Sequence, residues 1–116
     1  MGVIKRYESN ARRSRVVVHN DTVYLAGQVA DDWSGDITQQ TRETLANIDR
    51  MLALAGSDKS KLLSATIWIK RLSDYDAMNA VWDAWLAPGA APGRACAVLD
   101  MADPDILVEI TPIAAL

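Results

Sequence analysis

A single cysteine, Cys96, and a single histidine, His19, are the scarcities that exclude most in this chain of 116 residues. One thiol cannot close an internal disulfide, and one cysteine with one histidine is no ligand set for zinc, so neither a staple nor a metal site is expected. Basic residues are also in deficit. Twelve Lys and Arg stand against fifteen Asp and Glu, a formal charge of -3, whereas binding nucleic acid by phosphate neutralisation needs a basic excess or a long basic stripe. The only basic cluster is Arg12, Arg13 and Arg15. No run approaches the ~20 apolar residues of a membrane span, and Met1–Arg6 lacks the apolar stretch of a signal peptide. The expected location is therefore cytoplasmic, with neither membrane nor nucleic acid as a partner.

What is present fits one compact domain over residues 1–116, because 50% apolar residues suffice for a core at this length. Residues 3–7 read as a short first strand, and the polar run Glu8–Ser14 reads as a loop. Arg15–His19 and Thr22–Ala26 are rich in β-branched and aromatic residues and flank Asn20-Asp21, a pair suited to a tight hairpin turn. A polar loop with Trp33 follows, the tryptophan either capping the core or walling a pocket. Leu45, Ile48, Met51, Leu52 and Ala55 recur at helical spacing, predicting a helix over 38–55 closed by Gly56. Residues 62–70 alternate, with Leu63, Ala65, Ile67 and Ile69 on one face and Ser64, Thr66, Trp68 and Lys70 on the other. A second helix is predicted over 74–86, capped by Ser73, with Met78, Val81, Trp82 and Trp85 as its apolar stripe. The run Ala87–Gly93 breaks it, and two strands close the chain at about 94–100 and 106–113.

This order describes an α+β fold with two helices on one face of a mixed sheet. Two helices cover only one side, yet Val17, Trp68 and Cys96 put apolar groups on both faces of their strands. The uncovered face therefore calls for another copy of the chain. Pro112, which cannot donate a ladder hydrogen bond, marks the last strand as an edge or a bulge. Arg94 and Glu109 each interrupt an apolar run on the last two strands, which are expected to lie side by side. A charge in such a setting costs several kcal/mol unless paired, so the two form either a buried ion pair or a site.

Tyr24-Leu25-Ala26-Gly27-Gln28, Gln40-Thr41, Leu45, Asn47, Ile48, Leu54-Ala55-Gly56-Ser57, Asn79, Trp82, Pro92-Gly93-Arg94-Ala95-Cys96 and Val108-Glu109-Ile110 occur in an order that resembles the reactive intermediate deaminase family, the RidA or YjgF-like proteins. The resemblance runs over residues 22–115. It implies a chorismate-mutase-like fold, a homotrimer whose open sheet faces pack into a central barrel, and clefts between subunits. It also implies hydrolysis of enamines and imines such as 2-aminoacrylate to a 2-keto acid and ammonia, without a cofactor. Arg94 would grip the carboxylate of a 2-imino acid through its forked donors, and Glu109 would position and deprotonate water. Asn79, Gly27 and the backbone around Cys96 would shape the cleft. Cys96 reads as a buried thiol rather than a nucleophile.

The chain departs from the family pattern at two points. Ala11-Arg12-Arg13-Ser14-Arg15 stands where better-known members carry proline and a cleft-lining tyrosine, and Ala26 stands where they carry serine. Two hydroxyls are lost. The added arginines, Arg13 among them, would take a second carboxylate if one reached the cleft, and otherwise form a solvated basic loop. Two other functions remain open: a catabolic deaminase of a ring-cleavage product, and a non-catalytic trimer that binds a small carboxylate.

Overall fold

The computed structural model describes residues 2–116. Strand β2 (Ser14–His19) buries Val16 and Val18 and leaves Val17 and His19 half-buried, the period-two pattern of a strand with one core face. It turns into β3 (Thr22–Leu25) through Asn20, whose φ of 54° is the left-handed backbone a two-residue hairpin requires. Strand β1 (Ile4–Ser9) pairs antiparallel with β2, so the first strand is longer than the sequence pattern predicts and the loop shrinks to residues 10–13. Apart from Tyr7, which packs against the core, this edge strand is exposed and is held by its backbone partner, so apolar alternation gives no warning of its last two residues.

Helix α1 (Ile37–Leu54) starts one residue earlier than predicted, because Asp36 accepts the Gln39 N–H at 2.9 Å as N-cap. It ends as predicted. Gly56 takes φ +81°, and the Ser57 N–H reaches back to the Leu52 carbonyl at 2.9 Å. Helix α2 (Tyr75–Trp85) starts later than predicted, since Leu72–Asp74 form a 3-10 turn that absorbs Ser73 and deprives it of a capping position.

Strands β4 (Leu62–Ile69), β5 (Gly93–Val98) and β6 (Val108–Ala115) complete a six-stranded sheet of order β1-β2-β3-β6-β4-β5. Only β4 and β5 run parallel, joined by the α2 crossover. The core lies between this sheet and the two helices, with Leu45, Ile48, Leu52, Ile67, Ile69, Met78 and Ile110 fully buried. No helix is long and apolar enough to cross a membrane among the described residues.

Three expectations are corrected here. A register shift between Leu62 and Ser64 turns Leu62 into the core and leaves Leu63 52% exposed, so the predicted alternation holds only from Ala65 onward. Strand β6 is central, so Pro112 is no edge residue. Its parity is that of Ile110, whose N–H and C=O both pair with Gln28, so the missing N–H faces the place where the β3–β6 pairing stops at Tyr24↔Ile113. The β3–β6 pairing shifts by one residue between Tyr24↔Ile113 and Gln28↔Ile110, so of the two expectations the bulge holds and the edge does not. Third, β4 lies between β6 and β5, so Glu109 and Arg94 are not on adjacent strands.

The family-pattern residues Gln40 and Asn47 are fasteners. Buried Gln40 donates to the carbonyls of Trp33, Gly35 and Asp105 and accepts the Leu107 N–H at 2.9 Å. Asn47 donates to the Val29 carbonyl at 2.8 Å. Together they hold the loop after β3 and the entry to β6, which fixes Gly27 against Glu109.

Candidate functional site

Arg94 is paired with Ala65 in register, and Ala65 belongs to the core face of β4, so the Arg94 side chain leaves the sheet on the helix-covered side. Near the open edge of β5 it meets α2. Its guanidinium lies 5.8 Å from the Tyr75 ring centre and 5.7 Å from that of Trp82, and it donates to the Tyr75 hydroxyl at 3.2 Å. Two ring faces flank the cation and leave donors in the guanidinium plane free for a planar carboxylate. None of the ion pairs among the described residues includes Arg94.

Tyr75, Asn79 and Trp82 are spaced four and three apart and share the face of α2 toward Arg94. The Asn79 Oδ1 is buried with no hydrogen-bond partner among the described residues. An unsatisfied buried acceptor costs about 1–3 kcal/mol, a cost that functional sites carry and ordinary cores avoid. Trp82 is 3% exposed, so it serves the core and the Arg94 platform at once. Cys96 lies two residues along β5 on the same side as Arg94 and packs on the core, which corrects its expected place on the open face. Burial pushes its thiol pKa up, and the Arg94 charge only partly opposes this. A protonated thiol is a poor nucleophile.

Glu109 stands on the other face. It pairs with Trp68, whose neighbours Ile67 and Ile69 are core residues, so both Glu109 and Trp68 point to the side the helices leave uncovered. Desolvation by burial raises its pKa, and no cation pairs with it among the described residues. The carboxylate rests on Gly27: a Cβ built there would lie 2.2 Å from Glu109 Oε2. Glycine is needed for that close approach rather than for its dihedral freedom. Adjacent Gln28 is buried, donates to the Ala26 carbonyl at 2.8 Å and accepts from Arg15 Nη2 at 2.6 Å.

The chain thus carries two candidate half-sites: Arg94, Tyr75, Asn79, Trp82 and Cys96 beneath α2, and Glu109 with Gly27 on the open face. The internal ion pair between Arg94 and Glu109 left open by the sequence is excluded. Arg13 is exposed and donates to the Glu8 carbonyl at 2.8 Å, the geometry of a loop clasp, and it touches neither half-site. Arg15 is the basic-loop residue that turns inward, to Gln28 and, at 3.9 Å, to Glu8. Trp33 is 38% exposed and bonded to the Ala30 carbonyl, so it is a loop anchor rather than core. Tyr75 went unnoticed in the sequence. Its position four residues before Asn79 on a predicted helix was the available signal.

A family model described as endoribonuclease L-PSP matches residues 3–116. A RutC family protein of Haemophilus ducreyi is 42% identical over 114 residues, covering 98% of this chain and 97% of the relative. The RutC family protein YoaB of Escherichia coli K12 is 43% identical over 112 residues, 97% of each chain. Among solved structures, an uncharacterized protein of Pseudomonas aeruginosa superposes with a TM-score of 0.95 at 47% identity, covering 97% of this chain and 98% of that one. A YjgF protein family member from Neisseria meningitidis gives 0.94 at 40% identity, covering 97% and 94%.

Proposed function

The chain belongs to the endoribonuclease L-PSP family, with RutC and YjgF proteins among its relatives, and we propose that it is a hydrolytic deaminase of 2-imino acids and their enamine tautomers. The observation that carries this reading is the half-buried Arg94 guanidinium, set against two aromatic rings with no carboxylate partner among the described residues. A binding arginine prepared in this way matches a small planar carboxylate. The family description names a ribonuclease, but the net charge of -3 favours a small acid over a polyphosphate strand.

In this reading the imino acid carboxylate docks on Arg94, and the Asn79 Oδ1 accepts from the imine N–H. Water adds to the imine carbon as Glu109 takes one of its protons, and the amine nitrogen becomes protonated as the C–N bond breaks. One imine and one water give one 2-keto acid and one ammonia. Orientation and a single base suffice, since imines hydrolyse readily on their own. Glu109 comes from a second copy, because no single protomer presents both groups on one face. That second copy covers Val17, Tyr24, Trp68 and Ile113, the partly exposed apolar groups of the open face, in a homotrimer. In this reading the site of action is cytoplasmic.

The test couples an amino-acid oxidase to the purified protein and traps surviving imine with semicarbazide. Faster loss of imine from alanine, leucine or glutamate, abolished by Arg94→Ala, supports the reading. Unchanged semicarbazone yield with every imine overturns it and leaves a carboxylate-binding trimer.

A further inference from the structure

Away from both half-sites, α1 and α2 enclose a groove of about 590 Å³. It exists because of side-chain size. Ala77, Ala80 and Ala84 recur at spacings of three and four on α2, facing Leu45 of α1, and longer residues there would fill the space. At one end Trp85 forms a wall. Its indole N–H donates to Asp49 Oδ2 at 3.0 Å, and Lys59 Nζ stands 5.2 Å from its ring centre, so the ring is held rather than loose.

Arg42 is the one charged residue among the described residues lining this groove. It makes no ion pair among the described residues, and no acidic side chain shares the lining. A volume inside the ~300–1,000 Å³ range of small-molecule pockets, with apolar walls and a single placed charge, has the make-up of a ligand site. We infer that this groove binds a small aromatic carboxylate, its ring against Trp85 and the alanine wall and its carboxylate on Arg42. The flat wall selects a planar body, and Arg42, the one cation among the lining residues, selects the anion. The site is separate from the imine chemistry proposed above and stands or falls without it.

The probe is 2-naphthoate, titrated into the full-length protein and followed by amide chemical shifts. Saturable shifts at residues 38–45 and 77–85 are expected, and they persist in Arg94→Ala, which separates this groove from the carboxylate grip beneath α2. Arg42→Gln should weaken binding by about tenfold, and the neutral 2-naphthamide should lose a similar factor. Ala80→Leu, at an exposed position that tolerates the larger side chain, should abolish binding, and Ala84→Leu provides a second filled groove. Shifts confined to Tyr75, Trp82 and Arg94, or unchanged affinity in both filled variants, would overturn the inference. So would a change of oligomeric state in Ala80→Leu, which would assign the groove to a contact between copies.

Discussion

Arg94 and Glu109 leave the same sheet from opposite faces, with β4 between their strands. Each is half-buried, and neither has a charged partner among the described residues. Two unsatisfied charges of opposite sign, unable to meet within one chain, are the reason for placing the proposed reaction between copies.

That placement predicts complementation. Arg94→Ala and Glu109→Gln should each be inactive in imine hydrolysis. Unfolded together in equal amounts and refolded as mixed oligomers, they should recover about a quarter of wild-type turnover, since a quarter of random pairings join an intact Arg94 to an intact Glu109. A mixture as inactive as its components would put both groups in one protomer's site or remove one from the chemistry.

Gly27→Ala tests the seat of the carboxylate. The added methyl meets the mobile end of Glu109 rather than backbone, so Glu109 swings away at little structural cost. Turnover should fall at least about tenfold while the melting temperature changes by no more than about 4 °C, the shift of ~1 kcal/mol at this size. A large loss of stability with activity per folded molecule intact would make Gly27 a folding residue only.

The pH dependence follows from the direction of the Glu109 shift. Its pKa is raised by burial, so the base form appears above the range of an ordinary carboxylate, and the acid limb of the rate profile should be displaced upward. Stability moves oppositely. The folded state holds this proton more tightly than the unfolded one, so the contribution is present below the unfolded pKa and is lost as pH rises through the folded pKa. Melting curves of wild type and Glu109→Gln should therefore separate with rising pH, the variant gaining relative to wild type. The reverse trend would show a cation from another copy pairing with Glu109.

The register shift at the start of β4 is tested by two neighbours. Leu62→Ala removes a core side chain and should cost about 2–5 kcal/mol, whereas Leu63→Glu at an exposed position should change stability by no more than about 0.5 kcal/mol. Denaturant midpoints of the two variants decide it, and the opposite ranking would restore the unbroken alternation.

Local chemistry made much of this molecule legible in advance. The hairpin at Asn20, the Gly56 helix end, the core stripes of α1 and β4 and the two helices on one side all follow from period, turn residues and caps, which act over a few residues. Arg94, Glu109, Asn79, Gly27 and Cys96 stood out as types and as an ordered pattern. Strand β1 was legible in its first residues, but its extension through Glu8 and Ser9 was not, because an exposed edge strand is held by a partner's backbone and leaves no apolar period.

The order of strands was decided only in three dimensions. Strand β6 inserts between β3 and β4, which places Pro112 at the centre of the sheet and separates Arg94 from Glu109. Which face each charge occupies depends on parity across β4, and parity depends on a register set by long-range pairing. Tyr75 became part of the Arg94 cradle, and Arg15 rather than Arg13 turned inward, for the same reason: side chains distant in sequence meet only when the sheet and α2 are assembled. Residue type is local and can be read along the chain; which groups face one another is a property of the packed whole.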